Sequence, residues 1–485
     1  MLRLSTILNL LSVVVLLFAV AMVVPLGVSL LVRDGAEDAY DLAIVLTALA
    51  GGIIWLLTRR GRQDLRPRDG FIFVVLVWTV LPAFAALPLL AHLPELSLTD
   101  AYFEAMSGLT ATGATVLSGL DALPPSINLW RCMLQWLGGM GVIVLVVAVL
   151  PLLGVGGRQL LKAETPGPMK DHQLTPRIAS TAKGLWLVYV LLTVLCALAY
   201  VWAGMSTLDA VMHAFTTISL GGFSSHDLSL GFWASPAIEA CAIVFMVVAG
   251  VNFGTHFLAL RRRSLRSYAS DTEARAFVAV LLASVALHAG YLTLQGVYAD
   301  PGVALRYAAF NVVSVATTTG YSTTDYAAWP VFVSLWMLML CTFCTCSGSA
   351  GGGIKMMRAL LMLQQASREL ARIVHPRALI PVKLGGQVVE NNVIFAVLAY
   401  MLVYGATLTA LTMLLTATGL DFLTSFSAAA ASLNNLGPGL GEVGPATTYA
   451  LLSDFQKWIC TLAMLLGRLE LLTVFVLLSP AFWRR

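Results

Sequence analysis

Four short segments of the chain combine small, hydroxyl or amide side chains with a final glycine, and they could surround a cation with oxygen atoms. Backbone carbonyls of such segments can replace the water shell of a cation, and threonine or serine adds side-chain oxygens. Glycine suits the last position because it reaches positive φ without steric cost. The segments are Thr110, Ala111, Thr112 and Gly113; Ser219, Leu220, Gly221 and Gly222; Thr317, Thr318, Thr319 and Gly320; and Asn434, Asn435, Leu436 and Gly437. We predict that they are extended strands lining a cation pore, with the two asparagines holding the fourth by hydrogen bonds.

A second glycine-rich segment interrupts an apolar stretch that is predicted to begin as a helix near Trp329. Each glycine costs a helix about 1 kcal/mol relative to alanine, so this run predicts a break. The break would form a mobile loop that obstructs the pore and moves during gating. Close helix packing through small residues is the alternative. The candidate gate residues are Gly348, Gly351, Gly352, Gly353 and Lys355.

Arg468 is predicted near the middle of one apolar helix that runs from Trp458 to Leu478. A charge there costs at least about 3 kcal/mol on membrane-insertion scales, so Arg468 should face the pore or a partner. Glu470 is two positions away and points elsewhere on a helix. The alternative for Arg468, and equally for Lys355, is structural pairing with a carboxylate on another helix.

The whole chain has a composition that fits a lipid bilayer better than water. Of its 485 residues, 59% are hydrophobic and 11% are charged. Apolar runs such as 6–32, 41–58 and 71–91 reach or approach the roughly 20 residues that a spanning helix needs. The first run is expected to be a retained helix, because it is long and lacks a small-residue cleavage site. The net charge of +4 is no signature of nucleic-acid binding.

An internal repeat organises these runs, with a period near 100 residues: helix, short helix, glycine segment, helix. We predict an all-α integral membrane protein with two accessory helices (residues 1–70) and four pseudosymmetric helix/pore-loop/helix repeats around a central pore, at 71–160, 183–263, 272–360 and 390–485. The short helices should begin near Thr99, Thr207, Pro301 and Asp421. Their C-terminal, partly negative ends would point at the pore and favour cations.

Basic residues concentrate in alternate connections and predict the orientation in the membrane. Residues 59–70 hold five Arg and two Asp, and residues 157–183 hold five Lys or Arg and two acids. Further basic clusters lie at 261–275 and 355–383. By the positive-inside rule these connections and both termini are cytoplasmic. The opposite connections could enrich cations at an outer mouth through His213, Asp227, Asp325 and Glu442, although such loop charges can also be merely solvated.

Other classes of function fit the sequence less well. The segment ending at Lys355 lacks the Gly-Lys-Ser/Thr order of a phosphate-binding loop, and no Ser/His/Asp or metal constellation supports an enzyme. A secondary transporter that couples the cation to protons or sodium is the serious alternative. Such transporters show inverted repeats and paired broken helices. Here the four repeats share one orientation, and the sequence shows a break in a single second helix.

Five motifs together resemble the TrkH/KtrB/HKT superfamily of potassium transporters, closest to its bacterial TrkH branch. The resemblance spans essentially the whole chain and includes the two extra N-terminal helices. The motifs are Thr317-Thr-Thr-Gly-Tyr-Ser-Thr-Thr-Asp325, Leu220-Gly-Gly-Phe-Ser-Ser-His-Asp227, Asn434-Asn-Leu-Gly-Pro438, Gly348-Ser-Ala-Gly-Gly-Gly-Ile-Lys355 and Gly467-Arg-Leu-Glu470.

This resemblance implies potassium uptake through a filter built by each protomer of a homodimer in the bacterial inner membrane. It implies that Gly113, Gly222, Gly320 and Gly437 are the filter glycines, although Gly439 competes for the fourth place. It also implies that Arg468 and Lys355 act below the filter and near the gating loop. A separate cytoplasmic, TrkA-like ring of nucleotide-binding subunits is the implied partner, expected on the basic connections 157–183 and 261–275. Potassium is the transported ion, and no organic cofactor or nucleic acid is expected.

Overall fold

The structure is a computed structural model that describes residues 4–60, 67–139, 141 and 178–484. These residues are mainly helical, as predicted. Two predictions fall largely outside them: the end of the second helix of the first repeat, which was expected to run to about residue 153, and most of the basic connection 157–183.

The accessory region contains the first three helices. They are α1 (Leu4–Ala21), α2 (Val23–Val32) and α3 (Glu37–Thr58). α1 and α2 together form one apolar span of 29 residues, so the region contains two spans that are long and apolar enough to cross a membrane, as the sequence predicts. Asp34, between α2 and α3, accepts a hydrogen bond from the backbone N–H of Ser126 at 2.9 Å, and the Tyr40 hydroxyl donates to the Ser126 carbonyl at 2.9 Å. These two bonds attach the accessory region to the first repeat.

Four copies of a helix, a pore helix and a second helix follow. The first copy contains α4 (Pro67–Ala85), α5 (Leu87–His92), pore helix α6 (Leu98–Leu109) and second helix α7 (Pro125–Gly139). The second contains α8 (Ile178–Trp202), pore helix α9 (Thr207–Ile218), and second helix α10 (Pro236–Gly250) with its continuation α11 (Phe253–Arg262). A short helix, α12 (Arg266–Ser270), leads to the third copy.

The third copy contains α13 (Thr272–Leu294), pore helix α14 (Pro301–Ala316), and second helix α15 (Val331–Phe343) with its continuation α16 (Met356–Val374). A small antiparallel ribbon of β1 (Lys383–Leu384) and β2 (Gln387–Val388) follows. The fourth copy contains α17 (Asn391–Ala417), pore helix α18 (Phe422–Leu433), and second helix α19 (Asp454–Arg468) with its continuation α20 (Leu472–Leu478). The last helix is α21 (Pro480–Trp483), and short 3-10 helices lie at Leu120–Ala122, Ser229–Trp233, Tyr326–Ala328, Gly441–Val443 and Tyr449–Leu451.

Each pore helix begins at a side-chain cap, close to the position that the sequence predicts. The capping side chains accept a hydrogen bond from a backbone N–H of the first turn, which would otherwise lack a partner. They are Ser97, Ser206, Asp300 and Asp421. The four caps fix where the short helices start.

The prediction that a single second helix is broken is wrong. Among the described residues, the second helices of repeats 2, 3 and 4 are all interrupted, with bends of 93° between α10 and α11 and 109° between α19 and α20. At the second of these bends Glu470 and Leu471 have positive φ, although neither residue is a glycine. The apolar composition of such a segment predicts one continuous helix, which is why the break was missed.

The outer surface of the bundle is apolar. Large side chains such as Leu31, Leu57, Trp202 and Leu294 are at least 80% exposed. This is the expected surface of a protein whose surroundings are lipid tails. The two largest buried apolar clusters of the described residues lie inside: one joins the accessory helices mainly to repeats 1 and 4, and the other joins repeats 2 and 3 to part of repeat 4.

Candidate functional site

The four predicted segments, which we call filter loops 1 to 4, form a closed ring in chain order. A Cβ atom on Gly113 would lie 2.0 Å from the carbonyl oxygen of Gly221 in loop 2, and one on Gly222 would lie 1.9 Å from that of Thr319 in loop 3. A Cβ on Gly320 would lie 2.9 Å from the Pro438 ring, just after loop 4. Finally, a Cβ on Gly437 would lie 2.5 Å from the Gly113 carbonyl oxygen, which returns to loop 1.

This ring distinguishes the two candidates for the fourth glycine. Gly437 contacts loop 1, whereas a Cβ on Gly439 would meet Val443 and Ser427, which lie outside the four loops. Gly113, Gly222 and Gly320 have positive φ, but Gly437 does not. Pro438 follows Gly437 and favours extended backbone in the residue before it. A glycine is therefore required at position 437 because loop 1 approaches it closely, and not because the backbone there has a positive φ.

The four loops share one backbone pattern, and its first half is not the extended strand that we predicted. The first residue of each loop has a backbone conformation close to helical, and the second is left-handed, with φ between 51° and 62° at Ala111, Leu220, Thr318 and Asn435. In each loop the third backbone N–H donates to a carbonyl five residues earlier, as between Thr112 and Ser107 at 2.9 Å. The pattern is a helix C-cap that satisfies the last carbonyls of each pore helix.

Side chains of the loops are occupied by hydrogen bonds within the ring. The hydroxyl groups of Thr110 and Thr112 lie 2.7 Å apart, and those of Thr317 and Thr319 lie 2.8 Å apart. Asn435 donates to the hydroxyl oxygen of Thr112 at 3.0 Å, which joins loop 4 to loop 1. These bonds leave the backbone carbonyls as the groups best suited to face an ion.

A cavity of about 230 Å³ opens where the loops end, and all four filter glycines line it. Asp227 also lines this cavity and accepts hydrogen bonds from the backbone N–H of Leu120. His213 does not belong to this mouth, contrary to the expectation from sequence. It is fully buried in pore helix α9, where its ring nitrogens contact the Asp209 carbonyl at 2.8 Å and the Ser224 hydroxyl at 2.9 Å.

A buried ion pair behind loops 1 and 2 was missed by the sequence analysis. Arg131 in α7 and Glu104 in pore helix α6 lie 2.7 Å apart and are both about 1% exposed. Glu104 also accepts from the Thr115 hydroxyl and the Val116 backbone, and Arg131 donates to the Ser224 carbonyl at 3.2 Å. A charge in a membrane-spanning segment is itself a signal of function. Applying that rule to Arg131, as to Arg468, would have found this pair.

The glycine-rich segment between α15 and α16 lies against the first residues of loops 3 and 4, the end of the loops away from the cavity. The Gly352 N–H donates to the Thr318 hydroxyl at 2.9 Å. A Cβ on Gly352 would lie 1.9 Å from the carbonyl oxygen of Asn434, and one on Gly351 would lie 3.0 Å from that of Thr317. These glycines are thus needed for direct contact with the filter. We call residues 344–355 the gate loop.

Both ends of the gate loop are fastened to one carboxylate. Glu273, in the first turn of α13, accepts from the Ser347 N–H at 2.6 Å and from the Met357 N–H at 3.0 Å with the same oxygen atom. Gly348 is anchored separately, because its carbonyl accepts from the Phe253 N–H at the start of α11 at 3.0 Å.

Arg468 ends α19 and lies beside the gate loop. It is therefore not in the middle of a continuous helix, as predicted, because the chain turns sharply just after it. Its guanidinium donates to the Ala350 carbonyl of the gate loop at 3.1 Å, to the Gly139 carbonyl at 2.8 Å, and to the Gly138 carbonyl. Arg468 thus bridges the gate loop and the end of α7 on the gate-loop side of the filter.

Lys355, the last residue of the gate loop, forms a hydrogen bond within that loop. Its side chain is buried and its ammonium group donates to the carbonyl of Gly351, four residues earlier. Its φ is +79°, a strained value for a residue with a side chain. The carboxylate of Glu470 lies 2.6 Å from the guanidinium group of Arg358 in α16.

Comparison with known proteins places this arrangement in context. Residues 38–485 match the TrkH family, described as cation transport proteins. The chain is 46% identical over 474 residues to the Trk system potassium uptake protein TrkH of Salmonella typhimurium, covering 98% of both chains. It is 37% identical over 470 residues to the Trk system potassium uptake protein TrkG of Escherichia coli, covering 96% of both. The crystal structure of the potassium transporter TrkH from Vibrio parahaemolyticus superimposes with a TM-score of 0.89 at 42% identity, covering 99% of this chain and 100% of that one.

Proposed function

The chain belongs to the TrkH family of cation transport proteins, and from that premise we propose that it takes up potassium by channel-like conduction through the ring of four filter loops. The observation that carries the proposal is the closed set of glycine contacts from loop 1 to loop 4 and back. Four pore helices end at this ring, and the partial negative charge of their C-termini favours a cation there. The carbonyls of Thr110 to Gly113 and of the corresponding residues in loops 2 to 4 would replace the water shell of potassium.

We further propose that the gate loop and Arg468 control the pore. Gly351 and Gly352 of the gate loop lie against the first residues of loops 3 and 4. A positive charge at the end of the filter repels potassium, and Arg468 holds the loop through the Ala350 carbonyl. Moving the loop would break this bond and shift the guanidinium group. Lys355 would act with Arg468, because its ammonium group is tied to Gly351 inside the same loop.

We propose a location and partners on the same basis. The protein would work as a homodimer in the bacterial inner membrane, with both termini in the cytoplasm and one complete filter in each protomer. A TrkA-like nucleotide-binding subunit would dock on the basic connections. The end of α11 and α12 carry Arg261, Arg262, Arg263 and Arg266, which supports this placement.

A coupled transporter remains the second candidate, because three second helices are broken among the described residues. Broken helices near the middle of the membrane are common in secondary transporters, where their ends coordinate ions. The arrangement of repeats favours the channel: the four pore helices meet at one ring instead of forming two inverted halves.

Cation flux into proteoliposomes containing the purified chain tests this proposal. Potassium, rubidium, sodium and lithium are compared with and without an imposed proton gradient, alongside Gly113→Ser and Arg468→Ala. Passive flux that favours potassium, a sodium leak in Gly113→Ser and faster flux in Arg468→Ala are expected. Transport that needs the gradient and saturates at slow turnover would replace the channel with the coupled transporter.

A further inference from the structure

One face of α7 carries three buried polar side chains in a membrane-spanning repeat. Asn128, Arg131 and Gln135 are at most 3% exposed, and their spacing of three and four residues places them on one side of the helix. All three reach the segment that contains loop 2: Asn128 donates to the Ser225 carbonyl at 3.5 Å and Arg131 to the Ser224 carbonyl at 3.2 Å. This face of α7 therefore supports the backbone of a neighbouring repeat.

Gln135 makes the contact nearest to the filter. Its side-chain nitrogen donates to the carbonyl of Gly221 at 2.7 Å, and its side-chain oxygen accepts from the N–H of Phe223 at 2.9 Å. The two bonds lie on either side of Gly222, so the amide bridges the residues before and after this filter glycine. A Cβ on Gly221 would lie 2.4 Å from the Gln135 side-chain carbon, which shows how closely the amide lies against loop 2.

The bonding partners determine which end of the amide faces which group. A backbone carbonyl needs a donor and a backbone N–H needs an acceptor, and an amide supplies one of each. Reversing the amide would place oxygen against oxygen and N–H against N–H. One bond consequently orients the peptide that joins Gly221 to Gly222, and the other orients the peptide that joins Gly222 to Phe223.

Hydroxyl contacts to the backbone of loops 3 and 4 differ from this arrangement. In loop 4 the Tyr449 hydroxyl donates to the Gly437 carbonyl at 3.0 Å, and after loop 3 the Ser314 hydroxyl donates to the Tyr321 carbonyl at 2.7 Å. Each of those hydroxyls binds one group of the loop backbone, whereas Gln135 binds two. Loop 2 also contains two consecutive glycines, Gly221 and Gly222, and so has the least side-chain packing to hold its peptides.

We propose that Gln135 is a positioning residue that sets the preference for potassium over sodium by holding the peptides on both sides of Gly222. The inference rests on the proposed function, since it assumes that loop 2 coordinates the ion. Without the amide, the Gly221 carbonyl gains freedom to rotate and to approach a smaller ion. Discrimination between potassium and sodium by carbonyl ligands depends on the number, spacing and electric field of the carbonyls. Loss of the amide should therefore change mainly the selectivity.

Potassium and sodium uptake by proteoliposomes tests the proposal with three variants. Gln135→Met removes both hydrogen bonds at nearly the same volume. Gln135→Glu keeps the acceptor and supplies a donor only while its carboxyl is protonated. The matched control is Gln456→Met, because Gln456 is also buried in a second helix and also makes two hydrogen bonds, at 2.8 Å to Thr418 and 2.8 Å from Ser453.

We expect the ratio of potassium to sodium uptake to fall about tenfold in Gln135→Met, which corresponds to ~1.4 kcal/mol and to the net value of about one hydrogen bond. In Gln135→Glu the ratio should be higher at acid pH and fall as the pH rises, while the wild-type ratio stays constant. Gln456→Met should keep the wild-type ratio even if its melting temperature drops.

A ratio within about twofold of wild type in folded Gln135→Met overturns the proposal, since one hydrogen bond is worth more than this. If that variant does not fold, Gln135→Glu decides: a wild-type ratio at a pH at which infrared spectroscopy shows the new carboxyl to be ionised has the same meaning. If the wild-type chain itself does not favour potassium, the proposed function fails first and this inference fails with it.

Discussion

The Gly437 α-carbon faces the carbonyl oxygen of Gly113 so closely that a Cβ atom on Gly437 would lie 2.5 Å from that oxygen. These two residues are the last and the first filter glycines of the chain. Their contact closes the ring, and the ring requires that repeat 4 packs beside repeat 1. Each repeat supplies one loop of this ring, and each of the four glycines lies close to the next loop.

Adding one methyl group to the ring should disrupt it. In Gly222→Ala the new Cβ would lie 1.9 Å from the Thr319 carbonyl oxygen, and φ is +78°. Such a clash moves backbone, so loops 2 and 3 must separate and selective potassium flux should be lost. Potassium and sodium uptake by equal amounts of folded protein provides the measurement.

Gly405→Ala is the control for this substitution. Gly405 lies within α17, and a Cβ there meets no atom within 4 Å. Alanine favours a helix by about 1 kcal/mol over glycine, so this variant should be as stable as wild type or slightly more so. Normal flux in Gly222→Ala would contradict the closed ring.

Removing one member of the buried ion pair should be costly. Arg131→Met leaves Glu104 charged and buried, and breaking such a pair in this way typically costs about 3–5 kcal/mol. We expect a markedly lower unfolding temperature in detergent. The control is Arg372→Met in the exposed pair with Glu369, where the side chains are 40% and 50% exposed and a change below about 1 kcal/mol is expected. Equal effects of the two substitutions would argue against the support of loops 1 and 2 by this pair.

Glu273→Ala should loosen the gate loop at both ends. The carboxyl group accepts from the N–H groups of Ser347 and Met357, and each hydrogen bond contributes about 0.5–1.5 kcal/mol net. Hydrogen exchange at these two amides should accelerate about tenfold to a hundredfold. Glu390→Ala, at an exposed position that makes no side-chain cap, should leave both amides as protected as in wild type. Unchanged exchange in Glu273→Ala would show that other contacts hold the loop.

The outer connections contain a pH-sensitive contact between Asp121 and His226. Burial alone would raise the pKa of Asp121, but hydrogen bonds from the His226 ring and the Asp227 N–H outweigh it, so the pKa lies below the ordinary value of 3.8. The ionised carboxylate therefore stabilises the folded chain above pH 3.8, and this contribution is lost as the pH falls through the lowered pKa.

Thermal unfolding of wild type and Asp121→Asn from pH 6 to about pH 3 measures this effect. Because the Asp121 side chain is 46% exposed, we expect a stability difference below about 1 kcal/mol near pH 6 that disappears in acid. A difference that grows as the pH falls has the wrong sign for this account.

The sequence predicts the parts of the fold that local chemistry determines. The accessory helices follow from apolar length, and the starts of the pore helices follow from caps such as Ser97 and Asp421, which act within one turn. The four glycine-ended segments could be located from the sequence because each follows a short apolar segment in a repeated pattern. The ring order of the loops required the structure, since it depends on contacts between residues that are 97 to 324 positions apart.

The features that were missed depend on distant partners. The break after Arg468 occurs at Leu469, Glu470 and Leu471, whose residue types favour a helix, and the Glu470 carboxylate is held by Arg358 from another repeat. The role of Gln135 could not be predicted because its two partners lie 86 and 88 positions away. In each case the residue type is ordinary, and its contacts depend on the packing of distant segments.

Rubidium bound to crystals of the purified chain would test the central claim most directly, because its anomalous scattering locates a potassium substitute. The account predicts peaks on the axis of the ring, between the carbonyls of Gly113, Gly222, Gly320 and Gly437. Rubidium sites elsewhere in the bundle, with none inside the ring, would contradict the filter.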